Sequence, residues 1–172
     1  MITKPLPGEA SDYAQSYINQ LAETDLFEAF HNIGTQTLAL IKSIPEEKGN
    51  FRYAPGKWTV KEVFQHVMDT ERIFAYRALC FSRKDATPLP SFDENLYAPN
   101  SNSAGRTLAE IAREYAVIRQ SSELIYQAMT EQMLDFKGTA SGVSHSARIL
   151  GWFGVGHNLH HNRVLEERYL AG

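Results

Sequence analysis

Four stretches with apolar residues at helical spacing, two capping boxes, and connections rich in Pro, Gly, Asn and Ser predict an all-α fold. The architecture expected is an antiparallel four-helix bundle with a long loop between its second and third helices. At 172 residues the chain reads most simply as one domain over 1–172, long enough to bury a substantial core.

The first helix is expected from about Asp25 to Ile44. Leu26, Phe30, Ile33, Thr37, Leu40, Ile41 and Ile44 recur near helical spacing there, and Pro45 prevents continuation. A shorter helical turn, Asp12 to Leu21, precedes it. Between Asn50 and Lys57, Ala54-Pro55-Gly56 marks a turn. The second helix opens with the capping box Thr59-Val60-Lys61-Glu62, in which Thr59 and Glu62 satisfy orphaned backbone donors. Val60, Val63, Phe64, Val67, Phe74 and Ala78 form its apolar side, and it is expected to end near Arg83. Glu62, His66, Asp69, Thr70 and Ile73 form the neighbouring stripe, so His66 sits at the border of the buried face.

From Lys84 to Arg106, with Pro88, Pro90 and Pro99, no regular helix is expected, and a loop this long is often functional. Thr107-Leu108-Ala109-Glu110 is a second capping box. The seam Leu108, Ile111, Tyr115, Ile118, Ser122, Ile125 and Met129 follows it, interrupted by Ser122. Gly138 to Ser144 reads as a loop. The fourth helix runs from about Ser146 to Tyr169, with Ile149, Leu150, Phe153, His157, His161, Val164 and Leu165 on one side. Gly151, Gly154 and Gly156 are poor helix formers, expected where another helix approaches closely or where a site needs room.

Composition narrows the function. Seventeen basic against 20 acidic residues give a net charge of −3 with no basic run, which disfavours nucleic acid and anionic membranes as partners. The first residues carry no apolar signal core and no stretch is long enough to span a bilayer, so a cytoplasmic protein is expected. A single cysteine, Cys80, excludes an intrachain disulfide and a thiolate-rich zinc site; it is expected as a small buried side chain.

The chemistry concentrates in Gly156-His157-Asn158-Leu159-His160-His161, which holds three of the six histidines. His157 and His161, four apart, share a helix face, and their imidazoles can reach one ion. His157 and His160, three apart, offer a competing pair. A buried, hydrogen-bonded histidine is the plainer reading of either. The cluster is similar to the His-Glu-x-x-His pattern of zinc proteases, but Asn158 stands where the catalytic carboxylate would be, which argues against that route. Of the rest, His66 borders the core of the second helix, His31 lies among solvent-type neighbours and His145 falls in a loop.

Taken together, Tyr53-Ala54-Pro55-Gly56-Lys57-Trp58-Thr59-Val60-Lys61-Glu62-Val63, Gln65-His66-Val67-Met68-Asp69-Thr70-Glu71-Arg72, Ala75-Tyr76-Arg77-Ala78-Leu79, Gly138-Thr139-Ala140-Ser141-Gly142 and Gly156-His157-Asn158-Leu159-His160-His161-Asn162 resemble the DinB-like superfamily of DinB/YfiT-like metalloenzymes. The motifs fall in order from about Leu26 to Leu170. The resemblance implies a four-helix bundle with a metal held by three side chains, one from the second helix and two from the fourth. Motif by motif it places these ligands at His66, His157 and His161 and leaves His160 as a flanking residue. Many members carry Glu where this chain has Asn158, a non-ligand position that can tune the site indirectly.

Three neutral imidazoles suit a divalent Zn or Ni ion and leave positions open for a substrate. The resemblance further implies transfer of a low-molecular-weight thiol, such as bacillithiol, mycothiol or glutathione, to a small electrophile, and a homodimer. A non-catalytic metal- or ligand-binding stress protein and a metal-dependent hydrolase are the alternatives. Asp69 is a candidate to orient a ligand, or else caps the helix surface. Trp58 and Tyr97 are candidate pocket aromatics, or else core filler. Arg72, Arg77 and Arg148 are candidates to hold a substrate carboxylate, with solvated or ion-paired roles the plainer reading.

Overall fold

A computed structural model describes residues 1–170. Among these are seven α-helices: α1 (Asp12–Ile18), α2 (Leu26–Ser43), α3 (Val60–Ser82), α4 (Glu94–Asn100), α5 (Leu108–Gln127), α6 (Glu131–Asp135) and α7 (Ala147–Arg168). A two-stranded hairpin, β1 (Lys137–Ala140) and β2 (Val143–Ser146), precedes α7. The four long helices α2, α3, α5 and α7 start and stop within a residue or two of the boundaries expected from sequence. Both capping boxes form, with Thr59 accepting from the Glu62 backbone N–H and Thr107 from that of Glu110.

Helix α3 packs on α5 and α7, and α2 packs on the same two helices from the other side. Two apolar clusters fill the interior. One joins Leu26 and Phe30 of α2 to Phe81 of α3, Tyr126 of α5 and Leu150 of α7. The other joins Ile41 of α2, Phe64 of α3, Ile111 of α5 and Leu165 of α7. The start of α2 therefore meets the ends of α3 and α5 and the start of α7.

It follows that α2 and α7 run one way and α3 and α5 the other, which corrects the simple antiparallel order expected. The connection from Arg83 to Thr107 explains the difference. A short loop would force α5 to run back against α3, whereas this one is long enough to return the chain to the opposite end of the bundle.

Two segments expected to be irregular are ordered. Asp93 caps α4 by accepting from the backbone N–H groups of Asn95 and Leu96, so a short helix forms within the long connection despite Pro99. The expected loop at 138–144 is the hairpin, whose two-residue turn Ser141-Gly142 has φ of 55° and 76°. Both are left-handed values, suited to a hairpin turn whose twist matches its strands. The hairpin is tied to the long connection by hydrogen bonds from Leu89 N–H to Thr139 O and from Ser141 N–H to Leu89 O. Cys80 is half-buried rather than sealed in the core.

Two features set the orientation of α7. A Cβ on Gly156 would lie 2.6 Å from the Tyr17 carbonyl oxygen, so only glycine lets α1 dock here. On another side of the helix, Asn158 and Asn162 both donate to the Thr37 hydroxyl, and Asn158 Oδ1 accepts from Tyr115 at 2.6 Å and Arg119 at 2.8 Å. Arg119 in turn pairs with Glu71 at 3.0 Å. These buried polar groups have few alternative partners, so the network fixes the rotation of α7.

Candidate metal centre

His66 projects from α3 toward His157 and His161 on α7. The Nε2 of His157 lies 3.0 Å from that of His66 and 3.1 Å from that of His161. All three donor atoms fall within 4.8 Å of one another. Helix geometry explains the pair on α7, since positions four apart stand one above the other. The antiparallel packing of α3 on α7 supplies the third member.

The donor set fits a metal ion. A ring nitrogen has a single in-plane site, so His157 Nε2 can give or accept only one hydrogen bond, yet it faces two imidazole nitrogens at bonding distance. Hydrogen bonding alone leaves one of those contacts unsatisfied. A tetrahedral ion with metal–nitrogen bonds of about 2.0–2.1 Å holds its ligands roughly 3.3 Å apart, close to the spacing observed.

Electrostatics point the same way. Burial pulls the pKa of His66 down to about 4, with partial opposition from the Glu94 carboxylate. Burial, followed by His66 and His160, brings His161 down to about 3. His157 lies well below the ordinary histidine range through burial and its three histidine neighbours. All three are therefore neutral near pH 7, the state in which imidazole nitrogen binds a metal.

The trio forms one wall of a cavity of about 480 Å³. Tyr17 and Trp58 flank it: the Trp58 ring centroid is 4.8 Å from that of His66, and Tyr17 is 5.9 Å from His157. Glu94, at the start of α4, reaches the same space, as do Phe74, Phe92, Phe153 and His160. Arg77, Ser141 and His145 also line it.

The remaining sequence candidates divide clearly. Trp58 lines the cavity, whereas Tyr97 and Asp69 lie together in a separate groove. Asp69 accepts from Gln65 at 2.9 Å and sits 3.6 Å from Arg72, and burial raises its carboxyl pKa. Arg72 pairs with Glu114, and Arg148 with Asp135 and Glu131, so both are committed to ion pairs. Arg77 has no such partner among the described residues. His160 packs edge-on against Tyr17 and borders the cavity, while Asn158 takes part in the buried network. His31 is exposed on α2.

Sequence reasoning missed Glu94 and His145. Asp93-Glu94 was a readable helix start, and Val143-Ser144-His145-Ser146 after Ser141-Gly142 was a readable strand after a hairpin turn. No helix among the described residues is long and apolar enough to cross a membrane.

Comparison with known proteins adds a family. No curated protein matches the chain by sequence. The fold is similar to that of YfiT from Bacillus subtilis, a protein described as a probable metal-dependent hydrolase with an unusual four-helix bundle topology. The TM-score is 0.74 with 14% sequence identity, covering 95% of this chain and 90% of that one. A model of the DinB superfamily matches residues 29–165, most of the bundle and all three clustered histidines, and the chain belongs to the DinB superfamily.

Proposed function

We propose that this protein is a metal-dependent enzyme that holds Zn or Ni through His66, His157 and His161 and transfers a low-molecular-weight thiol to a small electrophile. The observation that carries the reading is the convergence of three neutral imidazole nitrogens, His157 buried and His66 and His161 half-buried, on an accessible cavity. A divalent ion bound there would act as a Lewis acid, lowering the pKa of a thiol or of water.

The protein's own groups supply the rest. Three neutral ligands leave the positive charge of the ion uncompensated, which favours an anionic nucleophile in the cavity. The Glu94 carboxylate is close enough to oppose the shift of His66, and in this reading it takes the proton from the incoming thiol. Trp58, Tyr17 and Phe153 would give the reacting group an aromatic surround.

A second reading, metal-dependent hydrolysis, is supported by the same Glu94, which supplies the proton acceptor such a reaction needs; YfiT is described in those terms. Thiol and water compete for the same position, so one assay separates the two. Metal-loaded protein is incubated with thiols (bacillithiol, mycothiol, glutathione) and an electrophile, and separately with ester and amide substrates. Thioether product is expected only with thiol present. Hydrolysis without any thiol requirement selects the second reading, and saturable binding without turnover selects a binding protein. Glu94→Gln is expected to lower kcat by about 10²-fold or more with unchanged metal content. The reading includes a homodimer, checked by sedimentation of the untagged full chain.

A further inference from the structure

The end of the cavity away from the three histidines has a different character. On α3, His66, Thr70, Phe74 and Arg77 line it in succession, so His66 and Arg77 are roughly 16 Å apart along the helix axis. Arg77 is only 5% exposed, yet no carboxylate pairs with it among the described residues. Its Nη2 donates to Pro90 O at 2.7 Å and to Ser141 Oγ at 3.0 Å, both neutral acceptors. Nε and Nη1 make no hydrogen bond among the described residues. Its Cζ lies 5.9 Å from the ring centroids of both Phe74 and Phe92. Burial accordingly works against its charge.

His145 borders the same space at 7% exposure, and its Nδ1 is buried without a hydrogen-bond partner among the described residues. Ser141 holds the left-handed conformation, which is unfavourable for a residue with a side chain, and from there its hydroxyl meets Arg77. A buried cation without an anion, on the wall of an open cavity, is an arrangement that a ligand completes.

We propose that Arg77, Ser141 and His145 form a carboxylate subsite, and that the ligand is an elongated small molecule with a terminal carboxylate at Arg77. An apolar middle lies against Phe74, Phe92 and Phe153, and the reacting group lies at His66, His157 and His161. The end of the cavity at Arg77 offers one unpaired cation beside neutral Ser141, so a monoanion fits there better than a phosphate dianion. The assignment of the reacting end rests on the metal-site reading above; the carboxylate subsite stands apart from it.

The test is calorimetric titration of the untagged full chain with 4-phenylbutyrate, neutral 4-phenylbutanamide and phenethyl phosphate. Wild type is expected to bind the carboxylate about tenfold or more tightly than the amide, the worth of one charge-assisted hydrogen bond, and more tightly than the phosphate. In Arg77→Gln the preference for the carboxylate over the amide is lost, with metal content unchanged. In His66→Ala metal is lost and the preference persists, which separates the subsite from the metal. Equal affinity for carboxylate and amide in wild type, no measurable binding of the carboxylate, or loss of the preference in His66→Ala overturns the proposal. Tighter binding of the phosphate overturns the choice of carboxylate. The wild-type and His66→Ala arms decide the matter even if Arg77→Gln fails to fold.

Discussion

His157 and Asn158 are neighbours in sequence with opposite tasks. One turns its ring into the cavity; the other, 1% exposed, accepts hydrogen bonds from Tyr115 and Arg119 and donates to Thr37. Replacing Asn158 by Leu would remove the buried acceptor shared by Tyr115 and Arg119, leaving the Tyr115 O–H without an acceptor and Arg119 with only Glu71 and Tyr115. A loss of roughly 2–4 kcal/mol in unfolding free energy is expected, measured by chemical denaturation. A loss below about 0.5 kcal/mol would mean that the network does not hold α7.

The spacing of His157 and His161 was legible in the sequence, and so was the border position of His66. Their convergence with one another, and the choice of His161 over His160, came from the family resemblance and then from the packing of α3 on α7. Arg77 was harder to place. Arg72, Arg77 and Arg148 look alike in sequence, and only the folded chain shows that two of them are ion-paired while the third faces a cavity.

At the scale of elements, the long helices were legible because each carries an apolar stripe and a start signal. The short ones were less so. Helix α4 has a single capping aspartate and too few residues for periodicity, and the hairpin strands have four residues each. Yet these pieces deliver Glu94, Ser141 and His145 to the cavity, so the parts hardest to read carry much of its chemistry.

Contact between α1 and α7 gives a direct element-scale prediction. Gly156→Ala sets a methyl group against the Tyr17 backbone, where no flexible side chain can yield. The variant is expected to lose about 1–3 kcal/mol. It should also lift Tyr17 off His157, read as increased amide hydrogen exchange confined to α1. Unchanged exchange across residues 12–18 would show that α1 is not held by this approach.

For the whole molecule, the order of helix directions was the main feature misjudged from sequence: an antiparallel order was expected, whereas α5 runs parallel to α3. Apolar periodicity reports which face of a helix is buried but not which way the helix runs, and a connection of this length permits either direction. Titration of the histidines acts on the molecule as a unit. The unfolded chain takes up protons on its histidines below about pH 6.5, whereas native metal-free protein resists protonation of His66 until about pH 4 and of His161 until about pH 3. Their contribution is therefore fully present above pH 6.5 and is lost as pH falls through 4 and then 3, with His66 alone worth on the order of 3 kcal/mol. Denaturation of metal-free wild type and His66→Gln between pH 7 and 4.5 checks this. The wild type should lose stability more steeply, and equal slopes would contradict it.

The bundle, the buried network and the docked α1 all act to hold three neutral imidazoles on one point. The most direct measurement is the metal content of untagged full-length protein, combined with thermal unfolding before and after chelation. About one equivalent of a divalent metal per chain is expected. Its return at a thousandfold excess over Kd should stabilise the fold by about 4 kcal/mol, a rise in Tm of roughly 10 °C. His66→Ala, His157→Ala and His161→Ala should each abolish both effects. Less than about a tenth of an equivalent of metal, with no rise in Tm on adding Zn or Ni, would contradict the metal centre.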